Sequence, residues 1–251
     1  MVSTRGVSLA AFVLHQYDWS ESSLIVDLFT REQGRLVVAA RGAKKPHSNF
    51  RAVLLPFQRL NVALAAGTVD AEVQNLRSAE FAGGAPMPRG GALLAGFYCN
   101  ELLLKLLARH DAHAHLFDAY AHTLPWLAAT DLQAQAALRT FELVVLREVG
   151  LLPALGVDTA TQQPVRSDER YALRPDLGVV AAGREATALG GATLLALQGA
   201  LEADDLAPLH CACLAELAAL KAQLRALLHY HLGTSMLRTR QLMIDLQPYT
   251  A

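Results

Sequence analysis

The run Gly83-Gly84-Ala85-Pro86-Met87-Pro88-Arg89-Gly90-Gly91 restricts how this chain can fold more than any other feature. Glycine and proline at this density stop both helix and strand. The sequence changes character across it. Five short apolar segments separated by turn signals come before; long stretches with helical spacing come after.

The five early segments are 7–14 (VSLAAFVL), 24–30 (LIVDLFT), 35–40 (RLVVAA), 57–64 (FQRLNVAL) and 69–76 (VDAEVQNL). Each has strand length and is rich in Val, Leu and Phe. Arg31-Glu32-Gln33-Gly34 has the length of a hairpin loop, with Gly34 able to take a positive φ, and Ala66-Gly67-Thr68 joins the last two segments in the same way. Residues 42–56 are too polar and interrupted for a strand, and Pro46 and Pro56 frame them as a long loop. Five strands with a long excursion after the third fit a small closed barrel such as an OB-fold. The expectation is an α+β chain: an OB-fold domain over 1–82 and an all-helical domain over 83–251.

In the helical part, Leu94, Phe97, Tyr98, Leu102, Leu104 and Leu106 form a broad stripe over 92–109, with Glu101 and Lys105 in the favoured i,i+4 order. Helices are also expected over 116–128 and over 132–149, the latter ending at Gly150. Residues 151–190 carry Pro153, Pro164, Pro175, Gly178 and Gly183, and read as a loop-rich insertion with a short hairpin around 171–180. Helical spacing resumes over 192–200, 207–232 and 235–246.

The net charge of −1 over 251 residues conceals an asymmetry. Residues 1–80 hold nine basic and seven acidic side chains; the remainder holds 13 and 16. Between Arg31 and Arg59 there are seven basic residues and a single acid, Glu32, an excess that a polyanion could use. Hydrophobic residues make up 53% of the chain and charged ones 18%, which excludes a disordered, charge-dominated protein. Three cysteines, Cys99, Cys211 and Cys213, cannot make a disulfide framework and fit a reducing cytosol. No stretch reaches the roughly 18 apolar residues of a membrane span, and the N-terminus lacks a signal-peptide pattern, so a soluble, cytoplasmic protein without membrane partners is expected.

Catalytic motifs are missing from the sequence. There is no nucleophile elbow, phosphate-binding glycine loop or HExxH pair, and an enzyme is not expected. His110, His113 and His115 invite a metal, but no cysteine nearby completes a ligand set. His210-Cys211-Ala212-Cys213 lies inside an expected helix, where neighbours point to different faces, so its cysteines read as buried small hydrophobes. No metal and no cofactor are expected. The strongest chemical signal is Arg41-Gly42-Ala43-Lys44-Lys45-Pro46-His47-Ser48-Asn49-Phe50-Arg51. Its cations can neutralise phosphates, Ser48 and Asn49 can donate to phosphate oxygens, and Phe50 can stack on a base. The other reading is a solvated loop with Phe50 tucked into the barrel.

Several motifs in order resemble one bacterial family. The first is LHQYDWSESSL over 14–24, followed by FTREQGR over 29–35 and ARGAKK over 40–45. Leu55-Pro56-Phe57, Tyr98-Cys99-Asn100-Glu101-Leu102-Leu103, Leu116-Phe117-Asp118-Ala119-Tyr120, Leu138-Arg139-Thr140-Phe141-Glu142-Leu143, Leu151-Leu152-Pro153, Leu232-Gly233 and Leu237-Arg238-Thr239-Arg240 continue the match through the chain. Together they resemble the RecO recombination mediators. The resemblance implies an OB-fold followed by a helical domain, and binding to single- and double-stranded DNA without enzyme activity. It also implies strand annealing and, with RecR, loading of RecA onto strands covered by the single-stranded-DNA-binding protein SSB, with RecF as a further partner and a nucleoid-associated location.

Some members of that family carry a four-cysteine zinc module in the region matching 152–171; this sequence has no cysteine there, so no zinc is expected. Carried over by residue, the DNA contacts would be Arg35, Arg41, Lys44, Lys45 and Arg51, with Arg5 a weaker candidate. Glu21, Asn100 and Glu101 read as structural. Lys105, Arg139 and Arg147 would rim a groove for the acidic SSB C-terminal tail. The alternatives are an RNA-binding OB module and a scaffold whose barrel binds protein.

Overall fold

The computed structural model describes residues 8–65, 71–84, 86–183, 185–233 and 237–246. It comprises two compact units, 1–125 and 126–251.

The first unit is built on a closed five-stranded barrel in the order β1-β2-β3-β5-β4. Its strands are β1 (Ser8–Asp18), β2 (Leu24–Thr30), β3 (Gly34–Ala40), β4 (Leu60–Leu64) and β5 (Gln74–Phe81). All pairings are antiparallel except β3 with β5, where Val38 faces Gln74 and Ala39 faces Asn75. That order, with one parallel closure and a short helix α1 (Asn49–Val53) after the third strand, is OB-like. The barrel is filled by alternate residues: Val13, Val26, Leu28, Leu36, Val38, Leu60, Val62 and Leu76 all lie in one buried cluster.

The unbroken apolar run of β3 has a physical reason. Leu36, Val38 and Ala40 point inward, while Val37 and Ala39 are also buried, at 5% and 3% exposure, so both faces of the strand are covered. Helices α2 (Gly91–Leu106) and α3 (Ala114–Leu127) follow the barrel. Phe12 and Phe29 stack against Phe117 and Tyr120 of α3, with ring centroids 5.0 to 6.4 Å apart. Burial of each such ring stabilises the unit by about 1.5–3 kcal/mol.

Two side chains tie α2 to the barrel. β1 carries a bulge between Val13 and His15, which leaves the carbonyl of Leu14 outside the ladder. Asn100, 2% exposed, donates its Nδ2 to that carbonyl at 3.0 Å and accepts the Tyr120 hydroxyl on Oδ1 at 2.5 Å. At the far end of the helix, Arg35 Nη1 donates to the carbonyls of Leu104 and Leu107, which have no helical partner of their own. Gly34 takes the expected positive φ (+68°), and a Cβ there would also collide with the carbonyl of Asp111.

The second unit packs helices around α4 (Asp131–Glu148). Thr130 caps α4 by accepting from the Gln133 amide, Asp131 and Arg147 sit at the ends that suit the helix dipole, and Gly150 at φ +71° ends it as expected. The insertion contains a ladder of β6 (Val157–Asp158) with β7 (Gln163–Pro164), and a small sheet in the order β10-β8-β9. In that sheet, β8 (Arg170–Arg174) and β9 (Gly178–Ala181) form the expected hairpin, and β10 (Leu189–Gly190) lies on the other side of β8. Helices α5 (Gly191–Glu202), α6 (Leu206–Ala215), α7 (Leu217–Leu232) and α8 (Arg238–Leu246) complete it. The buried side chain of Gln223 on α7 accepts the Leu173 amide at 2.9 Å and donates to the Thr187 carbonyl at 2.7 Å, which pins β8 to α7.

Some elements differ from the sequence expectation. The excursion after β3 contains α1. β1 runs four residues further, to Asp18, through the polar His15 and Gln16. β5 lies at 74–81; of the expected 69–76, residues 71–73 are not strand and 69–70 lie outside the described residues, and the buried Gln74, Leu76 and Ala79 are interspersed with polar residues that mask the strand. β4 starts only at Leu60, because Phe57 adopts φ +65°. The helix expected over 207–232 is two, broken at Glu216 (φ −136°, ψ 52°). The carboxylate of Glu216 accepts the Gly190 amide at 2.6 Å and Arg170 at 3.0 Å. Burial alone would raise its pKa, but hydrogen bonds from Gly190, Thr193 and Arg170 outweigh that and hold it below the ordinary glutamate value. The loop at 66–68 and Arg5 lie outside the described residues.

Candidate nucleic-acid interface

The seven basic residues between Arg31 and Arg59 separate into two groups. Three are engaged in holding the first unit together. Arg31 forms a bidentate pair with Asp118 of α3 at 2.9–3.2 Å, which lowers the Asp118 pKa through that hydrogen bond. Arg59 lies 5.9 Å from the centre of the Phe117 ring. Arg35 donates Nε to the buried Asp27 at 3.0 Å while its Nη1 closes the end of α2. With only 16% of its side chain exposed, Arg35 is a structural strut, and its expected role as a DNA contact is corrected here.

The other four, Arg41, Lys44, Lys45 and Arg51, lie on the excursion between β3 and β4. Arg41 is exposed and donates to Asn75 Oδ1 at 3.0 Å. Lys44 pairs with Asp18 at 2.9 Å, and Lys45 and Arg51 are exposed. The loop is folded, not loose. Gly42 turns at φ +72°, Ala43 is buried, and successive amides return to carbonyls within the loop (Ala43 to Ala40, Lys45 to Gly42, Ser48 to Lys45) at 3.0–3.3 Å.

The loop is also bonded to the β1–β2 turn. The Lys44 amide donates to the Ser22 carbonyl at 2.9 Å and the Gly42 amide to Ser23 Oγ at 3.2 Å. Phe50, for which stacking on a base or burial were both open, packs against the barrel core. Beside it lies a cleft of about 300 Å³ lined by Gln16, Leu24, Ala43, Lys44, Phe50, Arg51 and Leu54. This end of the barrel therefore combines a rigid backbone, four cations and a partly apolar cleft, an arrangement suited to a phosphodiester chain.

The residues expected to rim a groove for an acidic tail fare differently from one another. Lys105 is exposed on α2 of the first unit. Arg139 is 7% exposed and pairs at 2.7 Å with Glu142, itself 1% exposed, so it is an interior group of α4 and its expected place on a rim is corrected. Arg147 is half-buried, bonded to Asp204 at 2.6 Å and to the Leu201 carbonyl, beside a cleft of about 320 Å³ that includes Leu152, Pro153 and Gln198.

Sequence reasoning missed a cationic group in the second unit. Lys221 has its pKa lowered, first by burial and then by Arg139, Arg225 and Arg240; His229 is lowered by burial, Arg240 and Arg225. Their spacing on α7 was visible, but the approach of α8 was not. Cys213 is buried and its thiol pKa is pushed up to about 12 by burial, whereas Cys211, expected to be buried, is exposed. Among the described residues no cluster of three or more His, Cys, Asp or Glu could hold a metal ion, and no helix is long and apolar enough to cross a membrane.

Residues 5–84 match the family described as Recombination protein O N terminal, and residues 88–241 match Recombination protein O C terminal. The chain belongs to the RecO family. Among its relatives is the DNA repair protein RecO of Variovorax paradoxus, 54% identical over 250 residues that cover 94% of this chain and 95% of the relative. The RecO proteins of Polaromonas naphthalenivorans, at 52%, and Acidovorax ebreus, at 51%, each cover 98% of this chain and 99% of their own length. The RecO match extends over both units, so the basic loop and the helical second unit belong to one family framework.

Proposed function

We propose that this protein is a non-enzymatic recombination mediator in DNA repair, soluble and nucleoid-associated, whose barrel binds single- and double-stranded DNA through Arg41, Lys44, Lys45 and Arg51. Membership in the RecO family over nearly the whole chain carries this reading. The four cations on a hydrogen-bonded loop give it a physical basis: each neutralised phosphate releases condensed counterions, and screening of two strands by one basic surface lets them pair. In this reading the protein promotes annealing and, with RecR and in a pathway shared with RecF, helps RecA replace SSB on single strands. Arg147, beside the cleft of the second unit, is a proposed contact for the acidic SSB tail, and Lys105 on the first unit is proposed separately as another. The chemistry is electrostatic exchange, with no covalent step.

Fluorescence anisotropy of a labelled single-stranded oligonucleotide across a salt series tests the proposal. Arg41, Lys44, Lys45 and Arg51 are each replaced by Glu. Each contact removed should lower the slope of log K against log salt by about 0.7. Binding that ignores all four substitutions would move the DNA site elsewhere and favour a barrel that binds protein. Stronger binding to RNA than to DNA of the same sequence would favour the RNA module.

A further inference from the structure

Phe50, for which stacking on a base and burial were both open, packs part-buried against the barrel core, and the same end of the barrel leaves two larger rings in water. Tyr17 is 47% exposed and Trp19 is 55% exposed. Both lie where β1 enters the turn before β2. Single exposed aromatics are ordinary. These two share an edge with four cations, on a turn bonded to the cationic loop, and that combination calls for an occupant that is both anionic and flat.

We propose that Tyr17 and Trp19 form a stacking platform for the unpaired bases of single-stranded DNA, beside the phosphate contacts of Arg41, Lys44, Lys45 and Arg51. The proposal rests on the reading that this end of the barrel binds DNA, and it names the form of DNA the site prefers. The backbone that carries the two rings is held in place. His15 packs edge-on against Tyr17 with centroids 4.4 Å apart. The turn is closed by Trp19 and Ser20 amides donating to the Ser23 carbonyl at 3.3 Å and by the Ser23 amide donating to Ser20 Oγ at 3.2 Å. The bonds from Lys44 and Gly42 to Ser22 and Ser23 hold that turn against the loop. The backbone of the turn therefore needs little ordering on binding.

Asp18, between the two aromatics, would repel a phosphate, but Lys44 already pairs with it at 2.9 Å. Stacking selects single strands for a simple reason. In a duplex the base faces are covered by neighbouring pairs and only phosphates and groove edges are presented, whereas an unpaired base offers its π-face. Duplex DNA can therefore use the cations but not the rings.

Trp19 is its own reporter, since the chain has only one other tryptophan, Trp126. The full-length Trp126→Phe protein is titrated with an oligothymidylate, with an abasic phosphodiester of equal length, and with a duplex. Trp19 emission should be quenched by the oligothymidylate and stay unchanged with the other two. Trp19→Ala and Tyr17→Ala should each weaken oligothymidylate binding by roughly tenfold, with duplex affinity and the salt slope preserved, while Trp19→Phe retains most of the affinity. If both alanine variants bind the oligothymidylate as tightly as the parent while Lys45→Glu weakens it, the platform is wrong and DNA binding by the loop stands. If oligonucleotides bind none of these proteins, both proposals fall together.

Discussion

Asn100 joins the barrel to α2, and its replacement by leucine, which keeps the branched outline of four heavy side-chain atoms, removes the polar part of that junction. The side chain is 2% exposed and bonds in opposite senses: Nδ2 donates to the Leu14 carbonyl at 3.0 Å and more weakly to that of Val13 at 3.5 Å, and Oδ1 accepts from the Tyr120 hydroxyl at 2.5 Å. Leucine removes a donor from a bulge carbonyl and an acceptor from a buried phenol. At about 1–3 kcal/mol for each buried polar group deprived of a partner, Asn100→Leu should destabilise the first unit by about 3 kcal/mol. Tyr120→Phe, which takes the donor from Oδ1, should cost about 1 kcal/mol. In the double variant the phenol is gone, so leucine deprives only the carbonyls of Leu14 and, more weakly, Val13. The two effects should then fall short of additivity by about 1–2 kcal/mol. Urea unfolding of the four proteins, followed by Trp19 emission in a Trp126→Phe background and by far-ultraviolet circular dichroism, measures this cycle. Additivity within about 0.5 kcal/mol would refute the shared network, and an Asn100→Leu protein as stable as the parent would refute the role of Asn100 in closing the bulge.

Other outcomes follow from single sites. Gly96→Ala should destabilise the protein by about 1–2 kcal/mol, because the new Cβ would stand 2.7 Å from a ring carbon of the buried Phe57, and this outweighs the gain in helix propensity. Gly199→Ala, in a helix with nothing within 4 Å, should instead stabilise it by about 0.5–1 kcal/mol; thermal melts that move both variants in the same direction would contradict the packing argument. Arg35→Gln should lower stability by about 3 kcal/mol, since it strands the carboxylate of Asp27 in the interior, and its oligonucleotide binding at a temperature where it is folded should keep the salt slope of the parent. The depressed pKa of Glu216 contributes stability that is present above the ordinary glutamate value of about 4.3 and is lost as pH falls through the lower folded value. Accordingly, Glu216→Gln should be less stable than the parent at pH 7, and the difference should shrink below about pH 4; a gap that stays constant in urea titrations from pH 7 to pH 3 would show that the carboxylate charge is not involved.

The barrel was legible where the chain alternates cleanly or is buried on both sides. β2 and β3 and the hairpin at Gly34 follow from apolar segments and one glycine. β5 was misplaced because Asn75, Arg77 and Glu80 face away from the core, and a strand with a polar outer face looks like a loop when read by hydrophobicity alone. β1 was cut short at its bulge, since the extra residue there breaks the period on which the reading depends. The break at Glu216 leaves no trace in local spacing. It arises because a carboxylate distant in sequence from Gly190 supplies the acceptor that the start of α5 needs.

The charge pattern carried real but unsorted information about the site. Formal charge says that a residue must find water, a counter-ion or an acceptor, and does not say which. Arg35, Arg41 and Arg139 are identical in the sequence. Arg35 meets a buried aspartate and the open end of a helix, Arg139 meets Glu142 within its own helix, and Arg41 remains on the surface with Asn75. The difference lies in what folding brings to each guanidinium, and composition holds no record of that. Exposure of the aromatics runs the same way. Phe50, one residue from Arg51, is laid part-buried against the barrel core by α1, whereas Tyr17 and Trp19 are held outside by the strand extension and turn that follow the bulge. A single extra residue in β1 thus has two consequences: it creates the carbonyl that Asn100 must satisfy, and it precedes the stretch of strand whose rings face water beside the basic loop.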